Sequence, residues 1–370
     1  MINNKYNFLN GTLGYQDYKA LIEKKIIYAK KNIPNNSIQP ASIDLRLGNI
    51  AYKISSSFLS INKTVEEKLK KFKEKNIDIS NGYLFKKNET YLVELQEILN
   101  LNKNISGKCN PKSSTGRLDI FCRVITDYNS EYEAIKKGYK GKIYLEITSK
   151  TFNIAFAAGD KLNQLRLRNV KVDYLNDHQL SNLNSKSSFL YNNSNKPIKP
   201  LIDNGIKINA NISGKEQIIS FKAKKNSPEI YFNKIGFYKA SSFWIPIKNS
   251  KDNSMIVESN EFYILKSKEK IKIPANLAAE MIPYDTHIGD FRVHYAGFFD
   301  PGFGSGKSGS HAVLEIKTYE VPFTIEDGQN VARLVFERLA QVPNKLYGND
   351  IKSNYQNQGL ALSKHFRVLG

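Results

Sequence analysis

The sequence predicts an all-β protein built from two tandem copies of one barrel-like domain, with a few short helices. Three observations carry that prediction. Short alternating, β-branched runs separated by Gly, Asn and Lys turns dominate the chain. The two halves repeat one another in register. The 370 residues suit two domains of ordinary size.

Helical periodicity is confined to 15–31 ("YQDYKALIEKKIIYAKK") and 64–77 ("TVEEKLKKFKEKNI"). Strand patterns follow as "IAYKI", "TYLVEL", "GKIYLEI" and "FNIAFAA" in the first half. The second half contributes "EIYFN", "EFYILK", "AVLEI" and "VARLVFERL". A polar stretch over 176–200 marks the boundary between domains at 1–190 and 200–370. The repeat aligns "ETYLVELQEILNLNKNISGKCNP" with "EFYILKSKEKIKIPANLAAEMIP", with 172 residues separating Tyr91 from Tyr263 and Pro111 from Pro283. Further on, Glu146 to Gly159 and Glu315 to Gly328 both span 13 residues. A register shared over this length points to duplication.

Composition excludes several functions. No segment approaches the ~20 apolar residues of a membrane-spanning helix. The N-terminus lacks the apolar run of a secretory signal. Two cysteines, Cys109 and Cys122, cannot build a disulfide framework, which fits a reducing cytoplasm. Neither has the Cys-x-x-Cys spacing of a zinc deaminase. The net charge is +20, yet 46 of the 55 basic residues are lysines spread along the chain. That is an AT-rich composition rather than the clustered footprint of a nucleic-acid binder. The nine arginines are scarce enough that each is a candidate for bidentate work lysine cannot do. "DPGFGSGKSGS" (300–310) contains Gly306-Lys307-Ser308, but Pro301 stands where a phosphate loop needs glycine, and a strand pattern follows instead of a helix. It reads as a hairpin tip.

Two constellations carry chemistry. In "NPKSSTGRLD", Ser113, Ser114 and Arg117 bring two hydroxyls, turn amides and a guanidinium together, a phosphate-binding set. Glu146 and Glu315 occupy the same repeat position inside aliphatic strands. On a buried face such a carboxyl would be raised toward a general base; on an open sheet it would face solvent.

"KSSTGRL", "GYKGKIYLE", "FFDPGF…AVLE", "QPASIDLRLG" and the tail "YGNDIKSNYQNQG" together resemble the dCTP deaminase branch of the trimeric dUTPase superfamily, in its long two-domain bacterial form. The resemblance covers most of the chain. It implies a distorted β-barrel (a β-clip) in two copies, and hydrolysis of dCTP to dUTP and ammonia without zinc. It further implies Mg²⁺ accompanying the triphosphate, self-association as a homotrimer or other homo-oligomer, and a cytoplasmic site of action. By position, Ser113, Ser114 and Arg117 match the serine motif, with Lys112 where short forms carry Arg. Asp300 matches the base-binding hairpin, Glu146 and Glu315 both match the catalytic Glu, and Tyr347 and Gln358 match the closing tail. Asn354 replaces a tail lysine, for which Lys352 could substitute.

Each copy lacks what the other keeps: the second has "PYDTHIGDF" for the serine motif, and the first has "AIKKGYKG" for the Asp hairpin. One composite site is the simplest expectation. Glu315 is preferred as base because it shares a hairpin with Asp300; Glu146 is the rival. Three other functions stay open: a dUTP diphosphatase or bifunctional enzyme, a non-catalytic nucleotide-binding regulator, and, on charge alone, a nucleic-acid binder.

Overall fold

Alternating apolar residues give each strand one face to bury, and a duplicated pattern must bury it twice. The computed structural model describes residues 8–170, 174–213, 218–283, 291–294, 297–305, 308–348, 350–351, 355–356 and 358–367, with backbone alone at 283 and 291–294. In the first half the principal strands are β1 (Ile43–Ile54), β2 (Thr90–Asn100), β3 (Ile105–Pro111), β4 (Ile120–Thr126), β5 (Lys140–Ser149) and β6 (Lys161–Asn169). Their counterparts are β7 (Ile206–Asn209), β8 (Tyr263–Ile271), β9 (Leu277–Pro283), β10 (Phe291–His294), β11 (Ser310–Thr318) and β12 (Asn330–Arg338).

The pairings repeat with the sequence. β5 lies antiparallel between β2 and β4, as β11 does between β8 and β10. β6 lies between β1 and β3, as β12 does between β7 and β9. One difference is in the linking strand. β1 is 12 residues long and pairs with both β2 and β6, making one continuous, barrel-like sheet. β7 has four residues and pairs only with β12 among the described strands, so the counterpart strands of the second half stay in two separate sheets, beside a small two-stranded one of Ser254–Val257 with Phe323–Glu326.

Four short helices punctuate the strands: α1 (Tyr15–Glu23), α2 (Val65–Phe72), α3 (Ser113–Gly116) and α4 (Asp177–Lys186). Both expected helices are shorter than their patterns. α1 ends where Lys25 turns left-handed at φ 54°, and the β-branched pair that follows leads into a two-residue strand, Ile27–Tyr28. α2 has a reciprocal cap between Thr64 and Glu67, but Lys73–Asp78 leaves the helix to pair with the edge of β1. α4 lies in the polar stretch read as a boundary. Its Asn176–Gln179 capping box starts it, and Leu180 anchors it in the second core.

Each half has its own apolar core, and the second half intrudes on the first. Phe221, Phe243, Trp244 and Phe366 all pack into the first core. A polar network also joins the halves. Arg166 of β6, with no solvent exposure, donates through Nη1 to Glu337 Oε1 (2.7 Å) and the Ala279 carbonyl (3.1 Å). Its Nη2 donates to the Phe299 carbonyl (3.3 Å) and Asp300 Oδ1 (3.4 Å). Arg168 Nε and Thr12 Oγ1 complete the shell of Glu337 at 2.8 and 2.7 Å. Burial pushes the Glu337 carboxyl up, but the two guanidiniums outweigh it and hold it down at about 2.

Truncating Arg166 takes a shared cation from two buried carboxylates, leaving Glu337 to Arg168 and Thr12 alone. Arg166→Ala is expected to lower the unfolding free energy by about 3–5 kcal/mol, read by urea denaturation at neutral pH; a loss under about 1 kcal/mol would refute this account of the seam.

Candidate active site

The serine turn hangs from the end of β3. Lys112 N–H donates to the Leu162 carbonyl (2.9 Å) and Thr115 Oγ1 to the same oxygen (2.8 Å), strapping α3 against the start of β6. Ser113 and Ser114 then open onto a cavity of about 480 Å³. Arg117 follows at the C-cap, buried, with its guanidinium 3.8 Å above the Tyr355 ring and Nη1 donating to the Ala361 carbonyl (3.1 Å). Its Nε has no hydrogen-bond partner among the described residues.

The opposite wall comes from the second half. Asp300 begins the hairpin into β11, where Gly304 (φ 67°) must be glycine: a Cβ there would stand 2.1 Å from the Ile271 carbonyl oxygen. Gly306 and Lys307, at the tip, lie outside the described residues. Burial raises the Asp300 carboxyl, while Arg166 and Lys112 pull it down. Glu315 sits in the middle of β11, 5% exposed, facing the cavity. Among the described residues its carboxylate has no hydrogen bond to another side chain and no ion pair within 4 Å. Burial therefore pushes it up to about 8, with Arg117 opposing from across the cavity.

The lining includes a cluster of charges: Lys112, Lys161 and Lys364, with Asp44 and Asp160 among them. Lys112 is ion-paired with Asp44, and Lys161 Nζ donates to Asn36 Oδ1 at 2.9 Å. Burial depresses Lys161 and Lys364, and Lys112 depresses both further. Burial lifts Asp160 to about 6 despite the Ala157 amide and Lys364. Cations crowded and desolvated in this way favour an anionic ligand. Phe298, Phe299, Phe303 and Val313 also line the cavity and give it apolar surface on which a ring could rest.

The composite arrangement expected from the sequence is present within a single chain. Lys112, Ser113, Ser114 and Arg117 from the first half and Asp300, Glu315, Tyr347 and Gln358 from the second all line this one cavity. Tyr347 is set by its main-chain N–H on the Pro301 carbonyl (3.0 Å). Gln358 donates through Nε2 to the His311 carbonyl (3.0 Å), leaving Oε1 buried without a partner. Lys352 and Asn354 lie outside the described residues.

The structure does not bring Glu146 to the cavity. The register of β4 and β5 places Arg123 directly opposite Glu146. Arg123 Nη2 donates to its carboxylate at 2.6 Å and Ser57 Oγ at 2.5 Å. The Tyr132 ring then stacks on the guanidinium at 3.6 Å. Glu146 is a neutralised structural carboxylate, and the scarce arginine in "FCRV" is the signal that could have marked it. Sequence reasoning also missed Asp44, Asp160, Lys161, Lys364 and Tyr355. Asp44 and Lys161 sit inside stretches that align with the repeat or the family pattern, but among so many lysines neither Lys161 nor Lys364 announces itself.

Two family models match the chain in succession. The N-terminal domain of 2'-deoxycytidine 5'-triphosphate deaminase matches residues 9–171, and the C-terminal domain matches residues 176–366. A curated relative from Methanosphaera stadtmanae, named dCTP deaminase, dUMP-forming, is 26% identical over 179 residues. That alignment spans 45% of this chain and 88% of the relative. A relative of the same name from Nanoarchaeum equitans is 26% identical over 44% of this chain and 84% of its own. The crystal structure of 2'-deoxycytidine 5'-triphosphate deaminase from Agrobacterium tumefaciens superposes with a TM-score of 0.85 at 37% identity, covering 91% of this chain and all of that one. With both halves matched in order and the fold shared end to end, the chain belongs to the 2'-deoxycytidine 5'-triphosphate deaminase family.

Proposed function

We propose that this chain catalyses hydrolytic deamination of dCTP, with Glu315 as the base. The observation that carries the reading is Glu315 itself: a buried carboxyl with no side-chain partner among the described residues, raised to about 8, in one cavity with Arg117, the serine turn and a cluster of lysines. In its ionised form Glu315 takes a proton from water. The oxygen bonds to C4 of the cytosine ring as the C4=N3 π electrons move to N3; N3 takes up the remaining hydroxyl proton as the C4 carbonyl forms, and the tetrahedral carbon expels the amino group. Glu315 returns the proton to the leaving amino nitrogen, so dCTP and water become dUTP and ammonia. Ser113 and Arg117 position water and base, while Lys112, Ser114, Lys161 and Lys364 hold the triphosphate. Asp300 and the Phe298–Phe299 hairpin meet base and sugar, and Tyr347 and Gln358 close the tail over them, with Lys352 as a further tail contact.

Mg²⁺ would arrive on the phosphate oxygens. Among the described residues no three His, Cys, Asp or Glu side chains gather as ligands, so no step is assigned to it. No helix of the described residues is long and apolar enough to cross a membrane, and action in the cytoplasm belongs to the proposal. So does self-association, as a homotrimer or other homo-oligomer, for which exposed apolar side chains such as Ile256 and Val321 offer surface. Light scattering at three times the 42.1 kDa chain mass is the expected result, and a fully active monomer would remove that part.

A second reading is favoured by the relatives' own name, dUMP-forming. In it, a further water attacks the α-phosphate and releases pyrophosphate. Incubating the protein with dCTP and Mg²⁺ and resolving products by ³¹P NMR separates the two: dUTP alone for the first, dUMP with pyrophosphate for the second. An unchanged dCTP pool would reject both.

Glu315→Gln is expected to abolish deamination by more than ~10³-fold, while Glu146→Gln retains turnover but loses stability. kcat/KM should climb with pH toward about 8, as the base ionises. Stability runs the other way. Between the ordinary 4.5 and about 8 the folded state holds a proton the unfolded state releases. This group therefore removes about 1.4 kcal/mol of stability per pH unit in that window. Melting curves of Glu315→Gln at pH 5 and 8 should show the mutant gaining on the parent as pH rises; parallel curves would refute the assignment.

A further inference from the structure

Arg117 and Glu315 face one another from different halves, so something must set their separation. Two residues beyond each of them stands a second charged pair. In a strand, i and i+2 share a face about 6.6 Å apart. Lys317 accordingly lies beside Glu315 on the same face of β11, and it is 6% exposed. Asp119 follows Arg117 and is 1% exposed. Lys317 Nζ reaches Asp119 Oδ2 at 3.4 Å across the seam.

Asp119 is held firmly. Its backbone takes a left-handed conformation at φ 53°, which Asp tolerates better than most residues. Its N–H donates to the Gly116 carbonyl (2.9 Å), closing the serine turn, and its own carbonyl accepts from Lys150 N–H (2.9 Å). Thr151 Oγ1 donates to Oδ2 at 2.6 Å. The carboxylate is thus rigidly tied to the turn that carries Ser113, Ser114 and Arg117.

The duplication supplies an internal control. At the repeat spacing of Glu146 and Glu315, Lys317 corresponds to Thr148, whose hydroxyl pairs with Thr90 at 3.0 Å within its own half. The lysine is present only on the strand whose glutamate lines the cavity. Neither Lys317 nor Asp119 lines the cavity itself.

We propose that Lys317 and Asp119 are positioning residues, a cross-seam pair that sets the distance between Arg117 and Glu315. The proposal rests on the reading of Glu315 as base. A buried pair used only for stability would be replaceable by isosteres at little cost, whereas a pair that sets geometry would not. Loss of alignment of about 1 Å is worth roughly 100-fold in rate.

The test compares Lys317→Met, Lys317→Arg and the double variant Asp119→Asn/Lys317→Met. Lys317→Met should lower kcat for dCTP by roughly 100-fold with KM little changed, because the triphosphate contacts lie elsewhere. Lys317→Arg should recover most of kcat. The double variant should regain the parental melting temperature yet stay slow. Recovery of kcat in the double variant along with its stability would overturn the proposal, as would full kcat in Lys317→Met. Titration of Glu315 by carboxyl ¹³C NMR gives a readout that needs no turnover. Its midpoint should move in Lys317→Met and stay put in Lys317→Arg. An unmoved midpoint rejects the positioning role, whereas a parent protein that turns over no dCTP rejects the functional reading instead.

Discussion

A guanidinium with no access to water must be neutralised where it stands, and Arg166 is neutralised entirely by the other half of the chain. Its partners are Glu337, Asp300 and two carbonyls from the second copy. Separating the halves would leave a bare cation on one side and two buried carboxylates on the other, so the halves cannot slide or part without a cost of several kcal/mol. The same contact fixes the start of the Asp300 hairpin, and that hairpin delivers Glu315. The cavity's second wall is therefore placed by an interaction made from the first half.

The two duplicated glutamates show how neighbours, rather than sequence position, decide chemistry. Glu146 and Glu315 stand at the same point of the same strand. Across the ladder Glu146 meets Arg123, Ser57 closes over it, and the carboxylate is satisfied. Among the described residues Glu315 has no side-chain partner in an equally buried setting, and burial pushes it up to about 8. A buried carboxyl raised this far costs the fold stability above its ordinary range, which is the pattern expected of a functional group rather than a structural one.

Much of this was legible in the residues. The repeat showed because strand periodicity is strict and both copies keep their Tyr, Pro, Glu and Gly landmarks. The serine turn showed because two hydroxyls and a rare arginine fall within five residues. What stayed hidden depended on distance in space. α4 hides in a stretch that reads as a linker because its one buried anchor, Leu180, is outnumbered by polar residues; only its Asn176–Gln179 box signals a helix. The pattern of α2 runs past the helix because charge periodicity continues through Lys73–Asp78, whereas the edge of β1 recruits that segment as a strand. Glu146 could not be set aside without knowing that Arg123 faces it. Lys161 and Lys364 were lost among 46 lysines, since nothing local distinguishes a lysine that is desolvated by folding from one that is not.

Tandem fusion explains why the two copies diverged as they did. Where a site lies between identical barrels, each barrel must carry both half-sites, because each serves as left neighbour and right neighbour. Once two copies are joined and one cavity is built between them, each half-site is needed only once. The first copy keeps the serine turn, loses the Asp hairpin, and its glutamate is free to become an internal ion pair with Arg123. The second keeps the hairpin and the glutamate and has lost the serine motif. Residues that set geometry across the seam are then under the same one-sided demand. On the proposal made above, lysine at 317 and threonine at 148 follow from this: only the strand of Glu315 faces Arg117 across the seam, whereas Glu146 is already paired with Arg123 inside its own half.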